Sequence, residues 1–227
     1  MNRIERGALL ASGLGALATL GCETSDAKAQ PEATPVYYIY LAGPEVFLDN
    51  AVEAGAEKKA LIEKLSAESD WAFELEGLYP LDNEIADFKP DPETGVRIYH
   101  ANMAQIRQAD AVLANMVRFR SPSMDVGTAF EMGCARGLNK PVFAYYEAEP
   151  FYGEPEAPGL YVDRVADFYG LSEPPSEDPD GIGVENFGMA DNLMMMGAID
   201  DAGYGIETDF EKAVANIATY LTANPPE

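Results

Sequence analysis

With 227 residues and 47% hydrophobic content, the chain can bury one globular core, and a second full domain is not expected. Its 39 acidic residues against 15 basic ones leave a net charge of -24, which repels nucleic acid and anionic membrane surfaces. One His and two Cys cannot assemble a His/Cys zinc site, so no metal and no cofactor is expected, and the plentiful catalytic material is carboxylate.

The first segment reads as an export signal. Arg3 and Arg6 precede a mostly apolar run from Gly7 to Gly21 that is too short to span a bilayer comfortably. Leu20-Gly21-Cys22 matches a lipoprotein processing site, with Cys22 as the lipidated residue, although Thr19 stands where Leu is usual. Ala27-Lys28-Ala29 offers an alternative cut. Ser25 to Pro35 is a polar, Pro-containing tether. Residues 1–35 are therefore expected to be signal and tether, residues 36–227 the folded domain, and the protein an exported periplasmic or cell-envelope lipoprotein.

Tyr37 to Ala42 predicts a strand ending at the Gly43-Pro44 turn, and Asp49 to Leu65 predicts a helix. Trp71 to Leu75 is a short strand candidate, and Glu76 to Gly95 is loop-like. Gly95 to Ala109 predicts a helix with Ile98, Tyr99, Met103 and Ile106 on one side. Asp110 to Met116 predicts a buried strand, followed by a loop and a helix that ends near Gly137. Pro141 to Tyr146 is another strand. Glu147 to Phe187 is rich in Pro, Gly and acids and is not expected to be regular throughout. Asn192 to Ile199 and Glu207 to Leu221 predict helices.

Strands alternating with helices imply an α/β fold with a parallel sheet covered on both faces. In such sheets ligands bind beyond the carboxyl ends of the strands, at the switch point. The loop after Tyr40, the loop after Met116 and the start of the next helix all emerge on that edge. The glycine fingerprints of dinucleotide and P-loop sites are absent.

Glu131 is the residue to explain. Its helical neighbours three and four residues away are Gly127, Thr128, Cys134 and Ala135, all small and none charged. An ordinary surface Glu has a polar surround. This one has a floor on which a small molecule could lie. Cys134 reads as a small packing residue rather than a nucleophile. Asn102 is a polar residue on an otherwise apolar helix face.

Four segments carry a resemblance: Tyr40-Leu41-Ala42-Gly43-Pro44, Asn102, the run Phe119 to Gly133 (FRSPSMDVGTAFEMG), and Phe187 to Met194 (FGMADNLM). Together the chain resembles the nucleoside 2-deoxyribosyltransferase family from about Tyr37 to Ile199. The resemblance implies a flavodoxin-like three-layer sandwich with about five parallel strands. It also implies cleavage of the N-glycosidic bond of 2′-deoxynucleosides, with the sugar passed to another nucleobase or to water. By motif position Glu131 would be the nucleophile, Tyr40 would orient it, and Asp125 would hold the sugar hydroxyls or the base. Gly43, Asn102 and Phe119 would lie about the substrate. Asn192 would come from a neighbouring subunit, which implies a homo-oligomer.

The chemistry suits such a site. A glycosyl carbon leaving a nitrogen base passes through an oxocarbenium-like state that a carboxylate stabilises, and a double displacement retains configuration. Glu131 lies within two turns of a helix start, so the dipole is expected to help keep it ionised. Some family members have Asp where Asn102 stands, and an amide cannot supply a titratable proton. Plainer roles stay open: N-capping for Asp125, strand packing for Tyr40, a satisfied amide for Asn102, and solvated loop positions for Arg118 and Arg120. Related hydrolases of nucleoside monophosphates hold phosphate near the first strand; Glu45 in that turn is expected to repel it and to favour a free nucleoside. A nucleoside-binding lipoprotein without catalysis is the remaining alternative.

Overall fold

The computed structural model describes residues 33–152 and 157–226, so the leader with Cys22 lies outside the described residues. The strand Val36–Ala42 (β1) is paired on both edges, and apolar and aromatic side chains run through it without interruption, as a strand buried on both faces requires. The helix Ala51–Glu68 (α1) leads to the edge strand Glu74–Leu78 (β2). The helix Pro92–Gln108 (α2) then crosses back to Ala111–Asn115 (β3) on the other side of β1. The chain continues through Val126–Gly137 (α3), Val142–Tyr145 (β4), Tyr161–Tyr169 (α4), Leu193–Asp200 (α5), Ile206–Glu207 (β5) and Phe210–Ala223 (α6). All pairings within the sheet are parallel and the strand order is β2-β1-β3-β4-β5, the flavodoxin-like arrangement expected from the resemblance.

Strand parity divides the core. Ile39, Leu41, Ala111, Leu113, Phe143 and Tyr145 face α1 and α6. Tyr40, Ala42, Val112, Ala114, Val142 and Ala144 face α2, α3 and α5. Tyr40 pairs with Val112, which pairs with Val142, so Tyr40 rises from the centre of the sheet towards α3.

Several elements differ from their expected bounds, while the Pro-rich stretch from 147 to 187 is only partly regular, as expected. Trp71, Phe73 and Leu75 alternate as a strand should, yet pairing with β1 begins only at Val36 with Glu74. The strand is therefore displaced by three residues, and the loop after it starts later than expected. The helix expected from Glu207 begins at Phe210, where Asp209 caps it by accepting the Lys212 amide at 2.9 Å; Ile206 and Glu207 form β5 instead. The Pro-rich stretch contains α4, whose Val162, Val165 and Ala166 bury one face.

Candidate active site

A cavity of about 450 Å³ opens at the carboxyl edge of the sheet, beside the switch point between β1 and β3. Gly43, Val46 and Phe47 supply one wall from the turn after β1. Pro80, Leu81 and Phe88 come from the loop after β2, and Ile98 and Asn102 from α2. Asp125, Gly127, Thr128 and Glu131 close it from the start of α3.

Glu131 is held from below. The Tyr40 hydroxyl, on a side chain with no exposed surface, donates to Glu131 Oε1 at 2.6 Å. Burial and the adjacent carboxylate hold the phenol far above its ordinary pKa, so it remains a donor. Burial also pushes Glu131 up to about 7; the Tyr40 hydrogen bond opposes this, the Asp125 charge adds to it, and the Asn102 amide opposes it. The expected help from the helix dipole is thus outweighed by desolvation. The result is a carboxyl group poised near neutrality, as a catalytic acid–base or nucleophilic group requires.

Asp125 is 8% exposed and N-caps α3: its Oδ2 accepts the Thr128 amide at 2.8 Å and the Thr128 hydroxyl at 3.1 Å. Capping fixes this carboxylate at the cavity wall, so the cap does not exclude the role the resemblance implies. A Cβ on Gly127 would lie 3.0 Å from Asp125 Oδ2, which accounts for the small residue there. The Asn102 carbonyl accepts from Asn83 Nδ2 at 3.4 Å, leaving its NH₂ to Glu131.

The other anticipated residues divide. Gly43 lines the cavity in extended backbone, with φ of 171°. Phe119 stands behind the wall, stacked on Phe47 at 5.1 Å between ring centres, and the Arg120 guanidinium lies over both rings. Asn192 does not enter the cavity of its own chain. It caps α5, accepting the Met194 amide at 3.0 Å, and its amide donates to Glu185. Cys134 packs against the core beneath α3, and burial raises its thiol pKa.

Glu45 behaves differently from expectation. It is 3% exposed and turned to the opposite face of the sheet. Its Oε1 accepts from Asn115 Nδ2 and from the Tyr145 hydroxyl, both at 2.8 Å, and Lys58 Nζ lies 3.2 Å away. This compensated carboxylate does not guard the cavity against phosphate. Phe47, Leu81 and Phe88 were not anticipated. Their signal was position alone, in the connections that follow the carboxyl ends of β1 and β2.

The nucleoside 2-deoxyribosyltransferase family model matches residues 39–194, a span that contains every wall of this cavity. The chain belongs to the nucleoside 2-deoxyribosyltransferase family. A 2-desoxiribosyltransferase from Leishmania mexicana is 30% identical, with 81% of this chain and 97% of that one aligned and a TM-score of 0.56. A conserved protein from Enterococcus faecalis V583, 19% identical with a TM-score of 0.50, shares the fold over 81% of this chain and 98% of its own. The uncharacterized protein C191.05c of Schizosaccharomyces pombe is 27% identical over 214 residues, covering 86% of this chain and 94% of that protein. Membership gives the protein a nucleoside deoxyribosyltransferase-like function, with nucleosides and nucleobases as the substrate class.

Proposed function

We propose that the protein cleaves the N-glycosidic bond of 2′-deoxynucleosides through a covalent deoxyribosyl ester on Glu131, then passes the sugar to a second nucleobase or to water. The observation that carries this reading is the Tyr40–Glu131 pair at 2.6 Å on the wall of a nucleoside-sized cavity. Tyr40 engages Oε1, which leaves Oε2 to attack the anomeric carbon. The bond from that carbon to the base nitrogen breaks, and the base departs with the electron pair and takes up a proton. The acceptor then attacks from the opposite face, loses its proton, and frees the Glu131 carboxylate. Two inversions retain configuration. Asp125 holds the sugar hydroxyls, and Leu81, Phe88 and Asn102 border the space for the base.

Asn192 completes a neighbour's site in this reading. Val126 at 81% exposure and Phe130 at 53% on α3, with Met194 at 73% on α5, supply apolar surface for such a homo-oligomer. Residues 1–35 act as export signal and tether, with Cys22 lipidated, and residues 36–227 form the catalytic domain.

One observation favours a second reading, hydrolysis of nucleoside monophosphates. Glu45 faces away from the cavity, while Arg120, without a carboxylate partner among the described residues, lies over the cavity residue Phe47. The test offers deoxyinosine and its 5′-monophosphate in parallel, with and without adenine. Hypoxanthine together with deoxyadenosine supports transfer from the nucleoside, and hypoxanthine from the monophosphate alone supports the second reading. Binding without base release, unaffected by Glu131→Ala, would leave a nucleoside-binding protein.

A further inference from the structure

Outside the cavity, the most heavily engaged buried charge is Asp191, at 3% exposure. Its Oδ2 accepts the Met124 amide at 3.1 Å and Arg164 Nη2 at 2.8 Å. Its Oδ1 accepts the Asn192 amide at 2.8 Å and the Ser123 hydroxyl. Arg164, 6% exposed on α4, donates as well to the Ala190 carbonyl, while its Nε and Nη1 are buried without a partner among the described residues. A buried pair with incomplete compensation is weak evidence for stability, so its use is sought in what it holds in place.

Two of these partners, Ser123 and Met124, lie at the end of the β3–α3 loop. This loop folds on itself, with the Phe119 amide donating to the Ser123 carbonyl at 2.9 Å and Arg118 bridged to Met124. Its tip carries Phe119 and Arg120, which buttress the cavity wall at Phe47. Its last peptide leads into Asp125. On its other side the same carboxylate fixes the Asn192 backbone.

Resting on the function proposed above, we propose that Asp191 is a positioning residue for substrate binding: its carboxylate clamps the Ser123–Met124 corner so that Asp125, on the same wall as Glu131, and the Phe119-backed wall at Phe47 keep their places about the cavity. Two acceptor oxygens are required, because two donors converge on each. An Asn in its place presents one oxygen and one NH₂, and the NH₂ meets a backbone or guanidinium donor whichever way the amide turns. Arg164 would also be left without its counter-charge. The loop then loses its anchor while Glu131 and Tyr40, held by α3 and β1, keep theirs. Binding should suffer more than turnover.

The experiment compares Asp191→Asn with the parent by steady-state kinetics and by amide hydrogen exchange. The expected result is a KM for the preferred deoxynucleoside raised about tenfold with kcat within about threefold, together with faster exchange at Phe119 and Met124 but not in α1. Ile217→Ala, a core deletion on the opposite face of the sheet, serves as the stability control and should lower the melting temperature without moving KM. Ser123→Ala removes one contact only; it should raise KM in the same direction and keeps the test alive if Asp191→Asn does not fold. Unchanged KM in both loop variants, or an equal rise in Ile217→Ala, would overturn the proposal. A parent protein that binds and cleaves no deoxynucleoside or deoxynucleotide defeats the functional reading instead. Exchange then decides the clamp alone: unchanged protection at Met124 refutes it.

Discussion

Replacing Glu131 by Gln should stabilise the protein at alkaline pH while abolishing turnover. In the folded state burial raises this carboxyl from 4.5 to about 7, so the charged form opposes folding. Below the unfolded value both states hold the proton and no penalty exists. The penalty grows as pH rises between the two values and is complete above the folded one. A difference of this size corresponds to about 3 kcal/mol. Gln keeps an oxygen to accept the Tyr40 hydroxyl and has no charge to desolvate. The variant should therefore melt about 6–12 °C above the parent at alkaline pH, given the usual shift per kcal/mol for a domain of this size. Near the unfolded value the two melting temperatures should converge, and differencing the proteins cancels every other titrating group. Scanning calorimetry across this range at constant ionic strength reads the effect. A Gln variant no more stable than the parent at alkaline pH, or an offset independent of pH, would refute the picture of Glu131 as a desolvated carboxylate.

Tyr40→Phe removes a hydrogen bond that lowers the Glu131 pKa, so the acidic limb of the kcat/KM profile should move above its parental position near 7; a limb that stays put would reduce Tyr40 to packing. Asp125→Asn should retain the helix cap and lose activity, whereas Asp125→Ala should lose activity and about 1 kcal/mol of stability in denaturant melts. Inactive Glu131→Ala and Asn192→Ala proteins, mixed under subunit exchange, should regain activity, because some mixed sites contain both residues intact; no rescue despite proven exchange would confine Asn192 to its own chain. Fractionation of expressing cells should place the protein with membranes in a Cys22-dependent manner, and recovery of the uncleaved chain from the cytoplasm would contradict export.

Much of the candidate site was legible because it rests on local rules. An uninterrupted apolar strand, a capping Asp three residues before Thr128, and a stripe of small residues about Glu131 each specify their own geometry. Tyr40 and Val112 share a face and α3 follows β3 onto that face, which lets the hydroxyl reach the carboxylate, but that pairing was implied by the resemblance and not by parity. What was not legible depends on contacts between distant segments. β2 was displaced because Trp71 and Phe73 bury themselves with period two before any pairing begins, and the loop expected after it gave no sign that Leu81 and Phe88 would turn to the cavity. β5 is two residues long, too short for periodicity to declare itself.

Glu45 shows where parity stops helping. The strand ends at Ala42, the Pro44–Phe47 turn rotates the chain, and the side chain at 45 no longer has an assigned face. Its direction is set instead by Lys58, Asn115 and Tyr145, which come from three other elements and supply the charge and donors that let a carboxylate be buried. A Cβ on Gly43 would lie 2.0 Å from Glu45 Oε2, so the glycine that opens the cavity wall also makes room for the carboxylate behind it. The two sides of the sheet are thus joined at one turn. The charge that sequence alone would set against an anionic substrate instead holds that turn, and Arg120 lies behind the wall, over the ring of the cavity residue Phe47.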